Sequence, residues 1–417
     1  MRYPAFGPEP AGMLGSSVDP GLQGRRGRNT GEAGDRDEVS RDLPRRSRRR
    51  AEGRHAPPPE TCPMLHRIVL FLLPMAIAMT PTTAATLDAA PDADAAPIVI
   101  AHRGASGYLP EHTLEAKAMA HAMGADFLEQ DVVLTRDAQA IVLHDLYLED
   151  ITDVARRFPD RARADGRWYA IDFSLAEIRS LRLHERLDLA TGQPVFPGRF
   201  PPEADLFRIY TLEEELSLIR GLNRSTGRNA GIYVELKHPA WHIAEGLDPV
   251  PILMRELDRA GYRGPEDRVY IQCFEPDTLK RLREEIGTRI PLIQLIGEKD
   301  WSPEDLPVDF ERMRTPEGLA AVAAYARGIG PWIGQIHEGL DETGAHRTTR
   351  LVADAHAAGL LVHPYTFRRD ALPEGLGDFE ALLRFFLVDQ GVDGIFTDHP
   401  DVAVHLRSRF IGSEQAE

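Results

Sequence analysis

Cysteine is nearly missing from this chain of 417 residues: Cys62 and Cys273 are the two present. Two cysteines so far apart make no disulfide framework, so the fold must rest on its apolar core. Cys273 falls in an apolar run and reads as a buried strand residue. Beyond the N-terminal region acids outnumber bases. Residues 1–85 hold thirteen Arg, no Lys and nine acids, about +4, whereas the whole chain carries a formal −16, which leaves about −20 for residues 86–417. A surface of that sign disfavours nonspecific binding to nucleic acid or to anionic membranes. Membrane-length apolar runs are also lacking. The stretch from Ile68 to Ala78 is too short to span a bilayer securely. No cysteine follows it to support lipoprotein anchoring, and the Arg pairs lie too far ahead of it for a twin-arginine signal. No internal repeat of solenoid type occurs. Gly104-Ala105-Ser106-Gly107 lacks the Gly-x-Ser-x-Gly spacing of a serine nucleophile turn. His238, His242 and His363 have no spacing that suggests a metal site.

What is present divides unevenly. Residues 1–63 are rich in Gly, Pro and Arg and show no apolar periodicity, so a disordered basic segment is expected. Met64-Leu65-His66-Arg67 then leads into the short apolar run, and Thr83 and Ala85 supply small residues at the minus-three and minus-one positions of a signal peptidase site. The expected organisation is a start at Met64 with residues 1–63 an over-extended gene start, or else a natural basic extension. A signal peptide over 64–85 is cleaved near Ala85, a linker covers 86–97, and the folded domain covers 98–410. Export, with no stable membrane anchor after cleavage, is the expectation. At 42% hydrophobic and 27% charged residues, the chain as a whole suits a soluble protein with a real core.

That domain is organised around Ile98 to Asp145. Ile98-Val99-Ile100-Ala101 reads as a buried strand stopping at His102-Arg103-Gly104. Leu114 to Met123 reads as a helix, capped by Thr113 and ended by Gly124. Phe127 to Thr135 is a second strand carrying Glu129 and Asp131, which the two-residue period puts on one face. Two like charges so close repel unless a cation lies between them, so a metal is the economical explanation. About four residues, Arg136 to Gln139, separate this strand from a third at Ala140 to His144. That is too few for a parallel crossover, so the two form a hairpin that places Asp131 opposite His144.

His102-Arg103-Gly104, Pro110-Glu111-His112-Thr113, Glu129-x-Asp131, His144-Asp145 and Glu235-x-Lys237 together resemble the glycerophosphodiester phosphodiesterases, most closely their periplasmic branch, from about Ile98 to Val404. His112 stands where many relatives have Asn, but the periplasmic branch is similar there. The resemblance implies a barrel fold, Ca2+, and hydrolysis of deacylated phospholipids such as glycerophosphocholine to glycerol 3-phosphate and an alcohol.

The rest of the chain is consistent with that barrel. Further strands are expected at Ile232 to Lys237, Val269 to Phe274, Pro291 to Ile296, Gly328 to Pro331, Leu360 to Thr366 and Gly394 to Thr397. Helices are expected at Thr211 to Leu222, Leu253 to Ala260, Pro276 to Ile286, Pro316 to Ala326, His346 to Ala358 and Phe379 to Gln390. Nine strands less the hairpin strand leave the eight of a (β/α)8 TIM-type barrel in the α/β class. Residues 146–207 interrupt the rhythm as a long insertion at the barrel mouth. It is rich in Pro and aromatics, with a short helix predicted after Ser174 as cap and Glu177 completing a capping box.

Glu129, Asp131 and Glu235 fall near strand ends, where such barrels build their sites. Oxygen-only ligation points to Ca2+ or Mg2+, and export favours Ca2+. The same acids could instead be ion-paired to Arg103 and Lys237, and both arrangements can coexist. His102 and His144 are the expected acid–base pair, since histidine can take or give a proton near neutral pH. Arg103 suits a phosphate oxygen and Lys237 adds a second positive charge. Glu111 either joins the site or organises its loop. The expected partner is a small-molecule glycerophosphodiester. The alternatives are a phospholipase acting on intact lipid, or an exported binding or adhesion protein that kept the barrel without turnover.

Overall fold

The computed structural model describes residues 96–204, 206–301 and 307–414. The expectations for residues 1–63, for the signal peptide and for the linker up to Ala95 lie outside the described residues. No helix among the described residues is long and apolar enough to cross a membrane.

Nine strands form the main sheet: β1 Ile98–Ala101, β2 Phe127–Leu134, β3 Ala140–Val142, β4 Gly231–Leu236, β5 Val269–Cys273, β6 Leu292–Ile296, β7 Gly328–Pro331, β8 Leu361–Val362 and β9 Gly394–Thr397. All but β3 run parallel, each next to its predecessor, and β9 returns to β1. The seam between β8 and β9 is joined by backbone hydrogen bonds, Asp393 N to Val362 O at 3.0 Å and Phe367 N to Phe396 O at 2.8 Å. The result is the expected barrel of eight parallel strands. Ile100, Phe127, Tyr233, Ile293 and Phe396 fill its interior. A larger cluster, including Val99, Leu128, Val234, Ile271 and Ile395, packs against the surrounding helices. Every residue of β2 is buried, as a strand covered on both faces must be.

Helices at Leu114–Ala122, Leu212–Thr226, Pro249–Ala260, Pro276–Glu284, Pro316–Ala323, Leu351–Ala357, Phe379–Arg384 and Pro400–Glu414 follow the eight barrel strands. Their starts obey local capping chemistry: Thr113, Asp248, Thr315 and Asp378 accept from first-turn N–H groups, and Thr211 forms a full capping box with Glu214. Asp248 and Pro249 explain why the third helix begins before Leu253. The expectation of a helix from His346 is corrected: His346–Thr348 is a strand paired antiparallel with His337–Leu340, and the helix begins at Leu351.

The hairpin exists, but its register differs from expectation. Val132, Val133 and Leu134 pair with Val142, Ile141 and Ala140. Thr135 N–H donates to Gln139 O at 3.0 Å, and Ala138 sits at φ 56, so the turn is one residue tighter than the one assumed. Asp131 therefore pairs with Leu143, whose N–H donates to Asp131 O at 2.9 Å, and not with His144.

The insertion builds a core of its own. Tyr147, Leu148, Ile151, Tyr169, Phe173 and Leu183 pack with Val133, Ile141 and Leu143 of the hairpin. The predicted capping box is present: Ser174 and Glu177 bond reciprocally at the start of Leu175–Ile178.

Candidate active site

Arg103 and His112 sit on the two turns that connect β1 to the first helix, both in the left-handed region at φ 57 and φ 59. A non-glycine residue there costs about 1–3 kcal/mol, and such residues cluster where a site dictates the backbone. Gly104 at φ 91 lets this turn press on the helix, because a Cβ there would meet the Ala116 backbone at 2.9 Å. With the chain so bent, Arg103 N–H donates to Glu129 Oε2 at 2.7 Å and Arg103 Nη1 to Glu111 Oε2 at 2.9 Å.

Parallel pairing of β2 with β4 sets Asp131 beside Glu235. Glu129, Asp131 and Glu235, all buried, offer ligand oxygens within 4.8 Å of one another. Burial, reinforced by Asp131, pushes the Glu129 carboxyl well above its ordinary range. Burial also raises Glu235 to about 8, even though Lys237 Nζ lies 2.8 Å from its Oε1 and opposes the shift. Asp131 is held well below its ordinary range, because Lys237 and His112 outweigh its burial. Its Oδ1 is buried and makes no hydrogen bond. Three crowded acids with an orphaned oxygen fit a hard divalent cation, which takes oxygen ligands. The ion pairs anticipated as the competing arrangement also exist, so both coexist: Glu235 keeps Lys237, and Arg103 Nε lies 3.8 Å from Asp131 Oδ2.

The two histidines approach this cluster with similar support. His102 Nδ1 lies 2.6 Å from Asp398 Oδ1, and its Nε2 lies 3.9 Å from Glu129 Oε2. His144 Nδ1 lies 2.7 Å from Asp145 Oδ1. A carboxylate can only accept, so each Nδ1 carries the proton and each Nε2 is left as the basic atom. Burial and the Arg103 charge lower the pKa of His102; burial, Arg103 and Lys237 lower His144 to about 4. Glu111 takes Arg103 on one side and Arg186 on the other, with Arg186 Nη2 2.6 Å from Glu111 Oε1. It thus belongs to the ionic frame of the site.

Several residues of this frame carried no role in the sequence reading. Asp398 and Asp145 hold the histidines. His112 Nε2 lies 2.7 Å from Asp131 Oδ2, and Lys117 Nζ lies 3.3 Å from His112 Nδ1. Lys117 can only donate, so His112 accepts at Nδ1 and donates from Nε2 to Asp131. Lys117 also donates to the Glu129 carbonyl and pairs with Glu215 Oε1 at 2.8 Å, both side chains fully buried. Gln272 Nε2 donates to Glu129 Oε1 at 3.0 Å. Lys117, on a buried helix face shared with Ala116, Ala120 and His121, is the sequence signal for this inner network. His363, by contrast, lies in the barrel interior with Nδ1 2.9 Å from the Tyr233 hydroxyl, away from any metal cluster among the described residues.

The profile of the glycerophosphoryl diester phosphodiesterase family matches residues 102–402. A Haemophilus influenzae glycerophosphodiester phosphodiesterase is 41% identical over 74% of this chain and 89% of its own. One from Treponema pallidum is 36% identical over 76% of this chain and 92% of its own. Among solved structures, one from Silicibacter pomeroyi named for the same family superposes with a TM-score of 0.57 at 25% identity, covering 75% of this chain and 94% of that one. An Oleispira antarctica phosphodiesterase in complex with the product sn-glycerol-3-phosphate gives 0.50 at 22% identity, covering 75% and 97%. The chain belongs to the glycerophosphoryl diester phosphodiesterase family of enzymes.

Proposed function

We propose that the protein is an exported, periplasmic-branch enzyme that hydrolyses small glycerophosphodiesters, such as glycerophosphocholine, to glycerol 3-phosphate and an alcohol. The observation that carries this reading is the pairing of two aspartate-held histidines with three buried carboxylates whose oxygens lie within 4.8 Å of one another. Glu129, Asp131 and Glu235 would hold Ca2+, with Mg2+ as the alternative ion. A bound cation would supply positive charge to the phosphoryl oxygens. Arg103, its Nε 3.8 Å from Asp131 Oδ2, would bring its guanidinium charge to the same oxygens. Lys237 adds charge beside it.

His102 and His144 divide the proton work. One Nε2 takes the proton of the attacking hydroxyl, from water or from the glycerol 2-position, and the other protonates the leaving oxygen. Depressed pKa values keep the imidazoles largely neutral near pH 7, which suits the base; the acid takes its proton from solvent before it protonates the leaving oxygen, and the base returns its own to solvent. The processing that precedes this folded domain, with cleavage near Ala85, is part of the same proposal and rests on the apolar run and small residues of the sequence.

The test is release of glycerol 3-phosphate from glycerophosphocholine with and without a chelator. Release that stops on chelation and returns with Ca2+ supports the reading. Cleavage of intact phospholipid in preference to glycerophosphocholine, or turnover indifferent to chelation, overturns it.

A further inference from the structure

The insertion sends one arginine to each of the aspartates that hold the histidines. Arg186 Nη1 lies 2.6 Å from Asp145 Oδ2, the oxygen left over when Oδ1 accepts from His144. Arg199 Nη2 lies 2.7 Å from Asp398 Oδ2, the oxygen left over when Oδ1 accepts from His102. Both arginines are themselves fixed. Arg186 grips Glu111 with two nitrogens, at 2.6 and 3.1 Å. Arg199 grips Asp370 at 2.8 and 3.1 Å and lies over the Phe196 ring at 3.6 Å.

A carboxylate with one oxygen anchored by a guanidinium cannot rotate without breaking that bond, so the direction of its second oxygen is set. The imidazole bonded to that second oxygen inherits the direction. We propose that Arg186 and Arg199 are positioning residues of the insertion, each orienting one histidine of the acid–base pair through its aspartate. The insertion then does more than surround the mouth: it completes the proton-transfer geometry. The proposal rests on the acid–base reading of His102 and His144 given above. The two arms differ in redundancy. Arg368 Nε also donates to Asp398 Oδ2, at 2.8 Å, so Asp398 keeps one guanidinium when Arg199 is removed. Asp145 keeps none of the hydrogen-bonded guanidiniums described here when Arg186 is removed.

The test compares Arg186→Gln, Arg199→Gln, Arg186→Lys and the double Gln variant in the full chain, with glycerophosphocholine as substrate. The readouts are kcat, KM, the Ca2+ concentration for half activity and the thermal midpoint. Arg186→Gln should lower kcat about 10–100-fold, the range for losing a partner that orients a site residue. Arg199→Gln should cost less, and Arg186→Lys should regain part of the loss. KM and the Ca2+ requirement should stay within about threefold of the parent, since ΔΔG below about 0.7 kcal/mol is small against these contacts. Both Gln variants within twofold of the parent kcat would overturn the proposal. So would a kcat loss matched by a collapse in thermal midpoint or Ca2+ requirement, or an Arg186→Gln effect confined to KM, which would place its action at Glu111 and Arg103. If His102→Ala and His144→Ala themselves turn over like the parent, the acid–base reading falls and the proposal with it. If those variants are crippled while the arginine variants are not, only the proposal falls.

Discussion

Asp398 follows the last barrel strand, yet its Oδ1 lies 2.6 Å from Nδ1 of His102, which follows the first. Closure of the barrel brings them together, since β9 lies beside β1 with Ala101 paired to Thr397. Arg368 and Arg199 hold Asp398 well below the ordinary carboxylate range despite its burial, so it stays charged. It fixes the His102 tautomer and balances any charge the ring acquires. Asp398→Asn should therefore lower kcat by at least about tenfold, with KM and Ca2+ requirement nearly unchanged. Steady-state kinetics of that variant, beside a Ca2+ titration, checks it.

The carboxylate cluster predicts a coupling between metal, pH and stability. Burial pushes the Glu235 carboxyl up from 4.5 to about 8 in the metal-free protein. Between those values Glu235 holds more of its proton in the folded state than in the unfolded chain, so this group's contribution to metal-free stability should fall as pH rises through the window. A cation requires the ionised acid, so Ca2+ binding at pH 7 should release protons and tighten as pH rises towards 8. Calorimetry in two buffers of different ionisation enthalpy measures the release, and thermal midpoints with and without Ca2+ measure the slope. Glu129→Gln and Asp131→Asn should each raise the Ca2+ requirement sharply. Ca2+ should restore chelated enzyme better than Zn2+. Metal binding without proton release would contradict the carboxylate assignment.

Lys117 and Glu215 form a wholly buried pair behind the cluster. Removing one partner leaves an uncompensated charge in the core, so Lys117→Met or Glu215→Leu should destabilise the fold by about 3–5 kcal/mol. The double variant should lose less than the sum of the two, because neither charge remains. Lys117 also donates to His112 and to the Glu129 carbonyl, so it should still show a raised Ca2+ requirement. Urea unfolding of the three variants gives the comparison. Additive losses would mean that the two charges do not interact.

Much of this arrangement is legible in the sequence because it is local. Glu129 and Asp131 share a strand face by period alone, Ser174 and Glu177 announce their capping box, and nine apolar runs deliver the barrel. The histidine-holding aspartates are less legible for different reasons. Asp145 adjoins His144 but is one of several acids in its stretch, and its bond to the His144 ring, at 2.7 Å, is what the fold adds. Asp398 meets His102 across 296 positions, a distance that no local pattern bridges. The hairpin register failed on one residue. Ala138 takes a left-handed conformation that glycine or asparagine would have signalled, and alanine gave no sign of it.

That one-residue difference reverses the expectation for His144. Placed opposite Asp131, the imidazole would have its cation favoured by the metal carboxylates. With Leu143 in that place, His144 bonds Asp145 instead, and it lies close enough to Arg103 and Lys237 for both charges to act on it. Burial, Arg103 and Lys237 together outweigh Asp145 and lower its pKa from 6.5 to about 4. The sign for stability follows: between those values the folded state binds fewer protons than the unfolded chain, so this group's contribution is lost as pH falls through the window. NMR titration of the metal-free protein should show a His144 midpoint well below 6.5, and added Ca2+, a further positive charge, should push it lower still. His144→Ala should reduce kcat by about 10²–10⁴-fold, the usual contribution of a general acid or base, with little change in Ca2+ requirement because its hydrogen-bond partner is Asp145 rather than a carboxylate of the cluster. A midpoint at or above the ordinary histidine value would mean that Asp145 prevails over burial. An alanine variant that turns over like the parent would leave His144 a structural residue at the mouth.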